Sequence, residues 1–415
     1  MKSSRVISSA VARIVFDSRG SETIEVELAS DGVSSRVSAP GGKSRGGREG
    51  QAYPPNGPLG ALQSFNELVK RRLIGMDPRD QKGVDMMLKD VDGTPSFSVI
   101  GGNTAYSISI CAASLAAKLE GLELWRYISR LSGLGASIPL PLGNVLGGGT
   151  HAGRGAPDIQ EMLVFPTAAA NPFEAIRTNI TVHRRLGEKL SEVVEGYGGG
   201  RGDEGAHAPP LDNEAALKTV SDSSSGLKVS LGVDMAASTL YDSVSHGYMY
   251  RRSGVSRDRA GQMDFIEGIV DRFGLRYVED PMEESDWDGF RELRRRLPRV
   301  LICGDDLVVT RPDLVREAAR IGAVNAVILK PNQVGTLTTT LEAAREADRL
   351  NVVKVFSHRS GETCDPVLSH IAVGAGANLI KSGVVGGERV AKANELLRIW
   401  ERSDGILKMS RVDIP

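Results

Sequence analysis

The chain is predicted to be an α/β protein, a closed (β/α) barrel preceded by a smaller α+β domain, and three observations carry that prediction. Residues 1 to about 40 alternate apolar and polar side chains in short runs. From Gly60 to about Leu131 the period becomes helical. Beyond that, short apolar runs recur with amphipathic helical stretches between most of them. At 415 residues the chain is too long for one ordinary domain but suits a barrel with a smaller partner. The expected division is 1–132 for the first unit and 138–415 for the barrel.

In the first unit Ile24, Val26 and Leu28, then Val33 and Val37, alternate around an Asp31-Gly32 turn signal. This spacing predicts an antiparallel meander. Gly and Arg crowd residues 41–50, which predicts an exposed loop. Leu59, Leu62, Phe65 and Leu68 then fall on one helical face, and Tyr106 to Leu119 reads as a helix buried on most sides. The barrel runs are IQEMLVFP, LKVSLGVDM, LRYVEDP, VLICGDD, AVILKPNQ, VVKVFSH and NLIKSG. Helical patterns separate several of them, at Ala260 to Phe273, Arg311 to Ile321 and Thr336 to Arg349. Strands alternating with helices imply parallel pairing through crossovers. An open doubly wound sheet fits the same pattern and stays as the alternative fold.

Composition narrows the functional classes. A formal net charge of −1 gives no global field for nucleic acid or an anionic membrane. Forty per cent hydrophobic and 25% charged residues describe a globular chain with a sizeable core. The three cysteines, Cys111, Cys303 and Cys364, are widely spaced and odd in number. They predict a reducing, cytoplasmic setting and neither a disulfide framework nor a zinc-type C-x-x-C pair. Arg5 and Arg13 interrupt the first apolar stretch, so no signal peptide is expected. No run approaches the roughly 18 apolar residues of a membrane span.

Each barrel run carries or ends on a residue of catalytic type. Gln160 and Glu161 lie in the first, Asp234 ends the second and Glu279-Asp280 the third. Asp305-Asp306, Lys330, His358-Arg359-Ser360 and Lys381 end the next four. One charged residue after a strand is ordinarily where the chain meets water. Seven in succession, on strands whose C-terminal ends open on one face, point to one site. Asp234, Glu279 and Asp305 are hard oxygen ligands of the kind magnesium takes. Without a cation, three close carboxylates would force at least one to protonate. Lys330, near such a site and near Lys381, is expected to have its pKa lowered toward that of a usable base. His358-Arg359-Ser360 offers an imidazole, a fork of N–H donors and a hydroxyl, a set able to grip phosphate. Glu204, in the glycine-rich RGDEGAH loop, is a candidate acid, although such a residue taken alone is more often a solvated turn. Gly42-Lys43-Ser44 ends like a nucleotide-binding P-loop, but Val37 stands where its first glycine belongs, so it is not one. His183, His207, His246 and His370 lack ligand spacing and are expected at the surface or packed.

Along almost its full length the chain resembles the enolase family. AVARIVFDSRGSETIEVEL is similar to the family's opening strand with its DSRG motif, and IGGNTAYSISICAASLAA to its GANAILAVSLA helix. GGTHAG, DIQE, GDEG, GVDMAAS, VEDP, GDDLVVT, LKPNQVGT, SHRSGET and IKSG follow in the family's order, and SHRSGET is highly specific. The resemblance implies a (β/α)8-type barrel of the enolase kind, with its first strands irregular, behind a small α+β domain. It implies interconversion of 2-phosphoglycerate and phosphoenolpyruvate with two Mg2+ ions per site, in a cytoplasmic homo-oligomer. Lys330 would take the C2 proton, and Glu204, supported by Glu161, would assist departure of the C3 hydroxyl. Asp234, Glu279 and Asp305 would hold the tight magnesium, and Ser44 would help bind the second as its loop closes. Lys381 would meet the substrate carboxylate beside Gln160. Arg359 and Ser360 would bind phosphate, with His151 and His358 lining the pocket.

The sequence departs from the family pattern in several places. The loop reads PGGKSRG in place of PSGASTG, so Lys43 and Arg45 flank Ser44. GDEGGFAP becomes GDEGAHAP, with Ala206 and His207, and KVNQIG becomes KPNQVG, with Pro331 after the presumed base. VVGGERVAKANE follows IKSG where the family has an APARSERLAKYNQ-like run, and one residue is inserted between His151 and Glu161. Two other readings stay open at this point. One is a different superfamily lyase acting on a related acid, which needs no phosphate grip. The other is a non-catalytic paralogue, which would be free to lose Lys330 or Glu204.

Overall fold

The computed structural model describes residues 5–42, 46–153 and 155–412. The alternating N-terminal run forms β1 (Ser9–Phe16), β2 (Glu22–Ser30) and β3 (Val33–Ser38), an antiparallel meander in chain order. Asp31 and Gly32 both have left-handed φ, 52° and 74°, as a tight hairpin turn requires. The apolar face of the meander, Ile24, Val26, Leu28 and Val37, is covered by a helix, described below as α4.

That covering layer departs from the expected register at its start. Helix α1 (Gly57–Ser64) runs through a π-helical turn, Phe65–Val69, into α2 (Lys70–Leu73). The wider turn keeps Ala61, Phe65, Val69 and Leu73 in line with the core. Leu59 and Leu68, predicted to share the buried face, are 63% and 41% exposed. Helix α3 (Gln81–Asp92) starts on Asp80, whose carboxylate accepts from the Gly83 N–H. Helix α4 (Gly102–Leu119) is buried along most of its length, as expected, and α5 (Leu124–Ser132) follows it.

The barrel closes with eight strands, one more than the seven runs predict. The additional strand is β4 (Leu140–Gly147), which Pro141 and two glycines disguise in the sequence. The others are β5 (Glu161–Pro166), β6 (Val229–Asp234), then β10 (Leu275–Glu279), β11 (Leu301–Gly304), β12 (Ala326–Leu329), β13 (Val353–Ser357) and β14 (Leu379–Gly383). Between β6 and β10 a small antiparallel sheet, β7 (Tyr241–Asp242), β8 (Gly247–Tyr250) and β9 (Val255–Arg257), stands outside the ring. Around the barrel the order is β10-β11-β12-β13-β14-β4-β5-β6. Leu142, Leu163, Phe165, Tyr277, Ile328 and Val355 fill its interior, so it is a packed core.

Alternation of strands and helices predicts parallel pairing throughout, and β5 breaks that rule by running antiparallel to both neighbours. Its connection from β4 contains only a short 3₁₀ turn, Gly149–His151, and no crossover helix. The chain therefore returns in the opposite direction. Two helices, α6 (Pro172–Val193) and α7 (Asn213–Ser224), then bring it back to β6. The remaining units are regular. Helices α8 (Arg259–Phe273), α9 (Trp287–Arg296), α10 (Pro312–Arg320), a short α11 (Pro331–Val334), α12 (Leu337–Arg349), α13 (Val367–Gly374) and α14 (Gly387–Arg402) follow the strands in turn. Thr336 caps α12 at the predicted start, and Asp258 caps α8 two residues before the predicted Ala260. No helix of the described residues is long and apolar enough to cross a membrane, and the three cysteines are unpaired.

Candidate active site

The reversed strand explains how Glu161 reaches the other acids although it begins its strand while they end theirs. In register, Glu161 lies opposite both Gly147 of β4 and Asp234 of β6, and Asp234 pairs in turn with Glu279 of β10. Ser357 and Lys381 are neighbours on β13 and β14. All these positions open on one face. There Glu161, Asp234, Ser357 and Lys381 line one cavity together with His151, Gln160, Glu204, Asp305, Lys330, His358, Arg359 and Ser360. Of the residues singled out from the sequence and described here, Glu279 alone lies behind that lining, fully buried and bonded to Lys381 at 2.7 Å. Ser44 lies outside the described residues, as do Lys43 and Arg45.

Negative charge exceeds positive charge in this cavity. Glu161, Glu204, Asp234, Asp280, Asp305 and Asp306 face Lys330, Lys381 and Arg359, and Arg359 is already paired with Glu49. Lys381 Nζ bridges Asp234 at 2.8 Å and Glu279 at 2.7 Å, with Glu161 at 3.3 Å. Asp305 is held by Lys330 Nζ and by the Gln333 amide at 3.3 Å. Among the described residues Asp280, Asp305 and Asp306 form a carboxylate set with ligand oxygens within 4.8 Å of one another. It shares Asp305 with the predicted metal trio. Asp280 adopts a left-handed φ of 39° and accepts the backbone N–H groups of Asp305 and Asp306, each at 2.8 Å. This fixes the β11 turn against β10. Burial, then Asp234, pushes Glu279 well above the usual carboxylate range, and burial with Asp306 does the same to Asp280. Asp306 is pushed up to about 7 by burial and Asp305. Hard donors that hold protons for want of positive charge fit a divalent cation.

The lysines differ from expectation. Burial works to lower the Lys330 pKa, but contact with Asp305 outweighs it, and the ammonium is raised above its ordinary value rather than lowered. Lys381 is raised well above its own for the same reason, through Asp234, Glu161 and Glu279. The sequence shows a lysine beside a second cation, but it does not show that Asp305 makes the closer contact. Pro331 after Lys330 costs the fold nothing. It opens α11 at the first helical position, where no N–H is needed, and the Lys330 N–H is taken by Thr310 Oγ1 at 2.8 Å.

Three strands around the ring from β12, Glu204 forms the other pole. Asn144 of β4, fully buried, donates to its Oε2 at 3.0 Å, and His358 Nε2 lies 3.1 Å from the same oxygen. His151 Nδ1 stands 3.4 Å from Glu161 and 3.6 Å from Glu204. Burial, then Glu204, raises Glu161, whereas the His358 and His151 rings outweigh burial and hold Glu204 well below the usual range. The two carboxyls are thus pushed apart, and Glu161 is the one inclined to carry a proton. His151 Nδ1, Glu161 Oε2 and His358 Nε2 are buried without an aligned hydrogen-bond partner. Such unmet groups in one cavity are aimed at a polar ligand.

Arg359 is held by Glu49 at 2.8 and 3.2 Å and by Asn332 Oδ1 at 3.1 Å. Glu49 belongs to the loop predicted to be exposed. In the structure that loop crosses the barrel mouth, with Gly46 buried and Gly41 exchanging backbone bonds with Gly361 at 2.7 and 2.8 Å. A Cβ on Gly42 would lie 1.9 Å from Arg359 Nη2, so the loop meets the guanidinium with bare backbone. Asn144, Glu49, Asn332 and Arg389 are site neighbours that sequence reasoning missed. None has a signal of its own, since each matters through a partner far away in the chain. The remaining histidines are as expected: His183 and His207 stack at 4.3 Å, His370 pairs with Glu395 and His246 is exposed.

Two family models match the chain. Residues 7–128 match the enolase N-terminal domain and residues 135–406 the enolase C-terminal TIM barrel domain. The chain belongs to the enolase family. Enolases of three archaea show how evenly the likeness extends. The one from Methanosphaera stadtmanae is 42% identical over 99% of both chains. That from Methanothermobacter thermautotrophicus is 41% identical over 95% of this chain and 96% of its own. That from Pyrobaculum aerophilum is 40% identical over the same shares. Within the enolase fold the departures at Ala206, His207 and Pro331, all among the described residues, leave the neighbouring titratable groups in place. Ala206 is buried, and His207 packs behind the Glu204 loop with its Nδ1 3.0 Å from Tyr197 Oη.

Proposed function

We propose that Lys330 and Glu204 are the base and the acid with which this chain performs its family's reaction, the reversible dehydration of 2-phospho-D-glycerate to phosphoenolpyruvate. The chain is a carbon–oxygen lyase acting on a small molecule. What supports the assignment of roles is one observation, the convergence of Lys330, Lys381, the acids and His358-Arg359-Ser360 on a single cavity with Lys330 and Glu204 on different sides.

In this reading the substrate carboxylate lies toward Lys381 and Gln160, and the phosphate toward Arg359 and Ser360. The C2–H bond breaks toward neutral Lys330 Nζ, and the electron pair moves into the carboxylate. The C3–O bond then breaks, and the departing hydroxide leaves as water with a proton from the Glu161–Glu204 pair, delivered by Glu204. Lys330 serves as a base only when Asp305 is engaged elsewhere, because their contact keeps the ammonium protonated. A divalent cation, read here as magnesium with two ions per site, would be held by Asp234, Glu279 and Asp305 with Ser44 for the second, and supplies positive charge against the doubly charged carboxylate. A capping unit over 1–132 and a barrel over 138–415, a cytoplasmic setting and a homo-oligomer, most simply a dimer, complete the reading.

The experiment is exchange of the C2 proton with solvent deuterium. Lys330→Ala should abolish exchange. Glu204→Gln should slow product formation on the order of 10² to 10⁴ while exchange persists, since the base survives. Native exchange in Lys330→Ala would move the base to another residue.

A further inference from the structure

Arg389 is the largest fully buried side chain of the described residues, and it stands in the first turn of α14. A cation gains nothing from a helix N-terminus, where the dipole is positive, so the helix itself does not account for it. Its Nη1 donates to His358 Nδ1 at 2.6 Å and to the Arg359 carbonyl at 2.6 Å. Its Nη2 donates to the Ser360 carbonyl at 2.7 Å and to the Asp203 carbonyl at 3.3 Å. One guanidinium therefore joins the His358-Arg359-Ser360 segment to the residue before Glu204.

The contact with His358 has a chemical consequence. Guanidinium has only donors, so Nδ1 must offer its lone pair. The Gly383 N–H approaches the same nitrogen at 3.4 Å. The ring proton is then on Nε2, which lies 3.1 Å from Glu204 Oε2. The opposite tautomer would set N–H against N–H at one end of the ring and a lone pair against a carboxylate at the other. We propose that Arg389 is a positioning residue that fixes His358 as the neutral Nε2–H tautomer, with that N–H presented to the cavity beside Glu204, while tying the phosphate-side segment to the Glu204 loop. The role assigned to the Glu204 carboxylate rests on the function proposed above; the tautomer does not.

Burial and the neighbouring guanidinium, against the pull of Glu204, lower the His358 pKa to about 4. The charged groups facing the ring are Glu204, Arg389 and Glu362. The test is nitrogen NMR of the full-length, magnesium-loaded protein with labelled histidine, the His358 signal being identified by its loss in His358→Gln. It should show a bare Nδ1 and a protonated Nε2, unchanged between about pH 5.5 and 8, where an ordinary histidine titrates. In Arg389→Lys the shorter, single-pronged cation loses the fork, so the ring should show mixed tautomers and titrate toward 6.5. The same variant should lose about 10- to 100-fold in kcat, and the acid limb of kcat/KM should move to higher pH. A native ring that carries its proton on Nδ1, or titrates near 6.5, would overturn the proposal even if no Arg389 variant folds. An unchanged tautomer and pH profile in Arg389→Lys would overturn it as well. The ring spectrum needs no turnover, so failure here is distinct from failure of the Glu204 assignment, which Glu204→Gln kinetics report.

Discussion

Glu49 and Arg359 are 4% and 3% exposed at their side chains, and their ion pair links the loop over the barrel mouth to the phosphate-side segment. Removing Glu49 leaves the buried Arg359 guanidinium without its carboxylate, and breaking a buried ion pair costs about 3 to 5 kcal/mol in comparable sites. Glu49→Ala should therefore lower the urea midpoint clearly and raise the KM for 2-phosphoglycerate, whereas Glu49→Gln should recover most of the stability. A Glu49→Ala protein with native midpoint and native KM would show that the pair is incidental. Residues of this kind mark the limit of what a sequence discloses. Asp234, Glu279, Asp305, Lys330 and Lys381 stand out because each follows an apolar run, a position with meaning in a barrel. Glu49, Asn144 and Arg389 have no such position, and their partners are 310, 60 and 31 residues away. Even a residue that the sequence singles out can have a closest contact that its spacing does not show. Lys330 is raised because Asp305 touches it, and that contact is not legible in the spacing of either residue.

Among the elements, the turn after β14 and the loop carrying Glu204 approach more closely than any side chain would allow. A Cβ on Gly383 would lie 2.0 Å from the Glu204 carbonyl oxygen, a backbone atom that cannot swing aside. Gly383→Ala should displace Glu204 and lower kcat by 10-fold or more in order of magnitude, since small misplacements of a reacting group are costly. The far-ultraviolet spectrum should remain native, and an alanine variant with full kcat would mean that Glu204 is not constrained from this side. The element boundaries show what periodicity conveys and what it does not. Helices α8 and α12 have capping side chains and α10 opens on a proline, and the predicted limits of all three lie within one residue of those observed. The π turn at Phe65–Val69 is invisible to a fixed helical period, and Leu68, which falls within it, is exposed. Strand β4 is hidden by Pro and Gly, and the reversal of β5 follows from a missing crossover helix rather than from the strand's own composition.

For the whole molecule, the site is a set of carboxylates assembled by barrel closure and short of positive charge. Asp306, pushed up to about 7 from an ordinary value of 3.8, binds a proton in the folded state that the unfolded chain releases. Its contribution to stability is full below about pH 3.8 and is lost as pH rises through about 7. A cation competes with that proton, so the rise in Tm on adding magnesium should be larger at about pH 8 than at about pH 5.5. Equal shifts at both values would mean that the cation and the proton do not share a site. His358 and His183, both lowered to about 4, act in the opposite sense, with stability present above about 6.5 and lost as pH falls toward 4. Comparing shifts with and without magnesium at each pH removes their contribution. The central claim, that the converged strand ends form a metal-dependent dehydratase site, is tested most directly by the ultraviolet absorbance of phosphoenolpyruvate formed from 2-phosphoglycerate by the purified chain. The account predicts steady formation with magnesium, none after exhaustive chelation, and recovery when magnesium is restored. No product with magnesium present, or full turnover in protein verified to be free of metal, would contradict it.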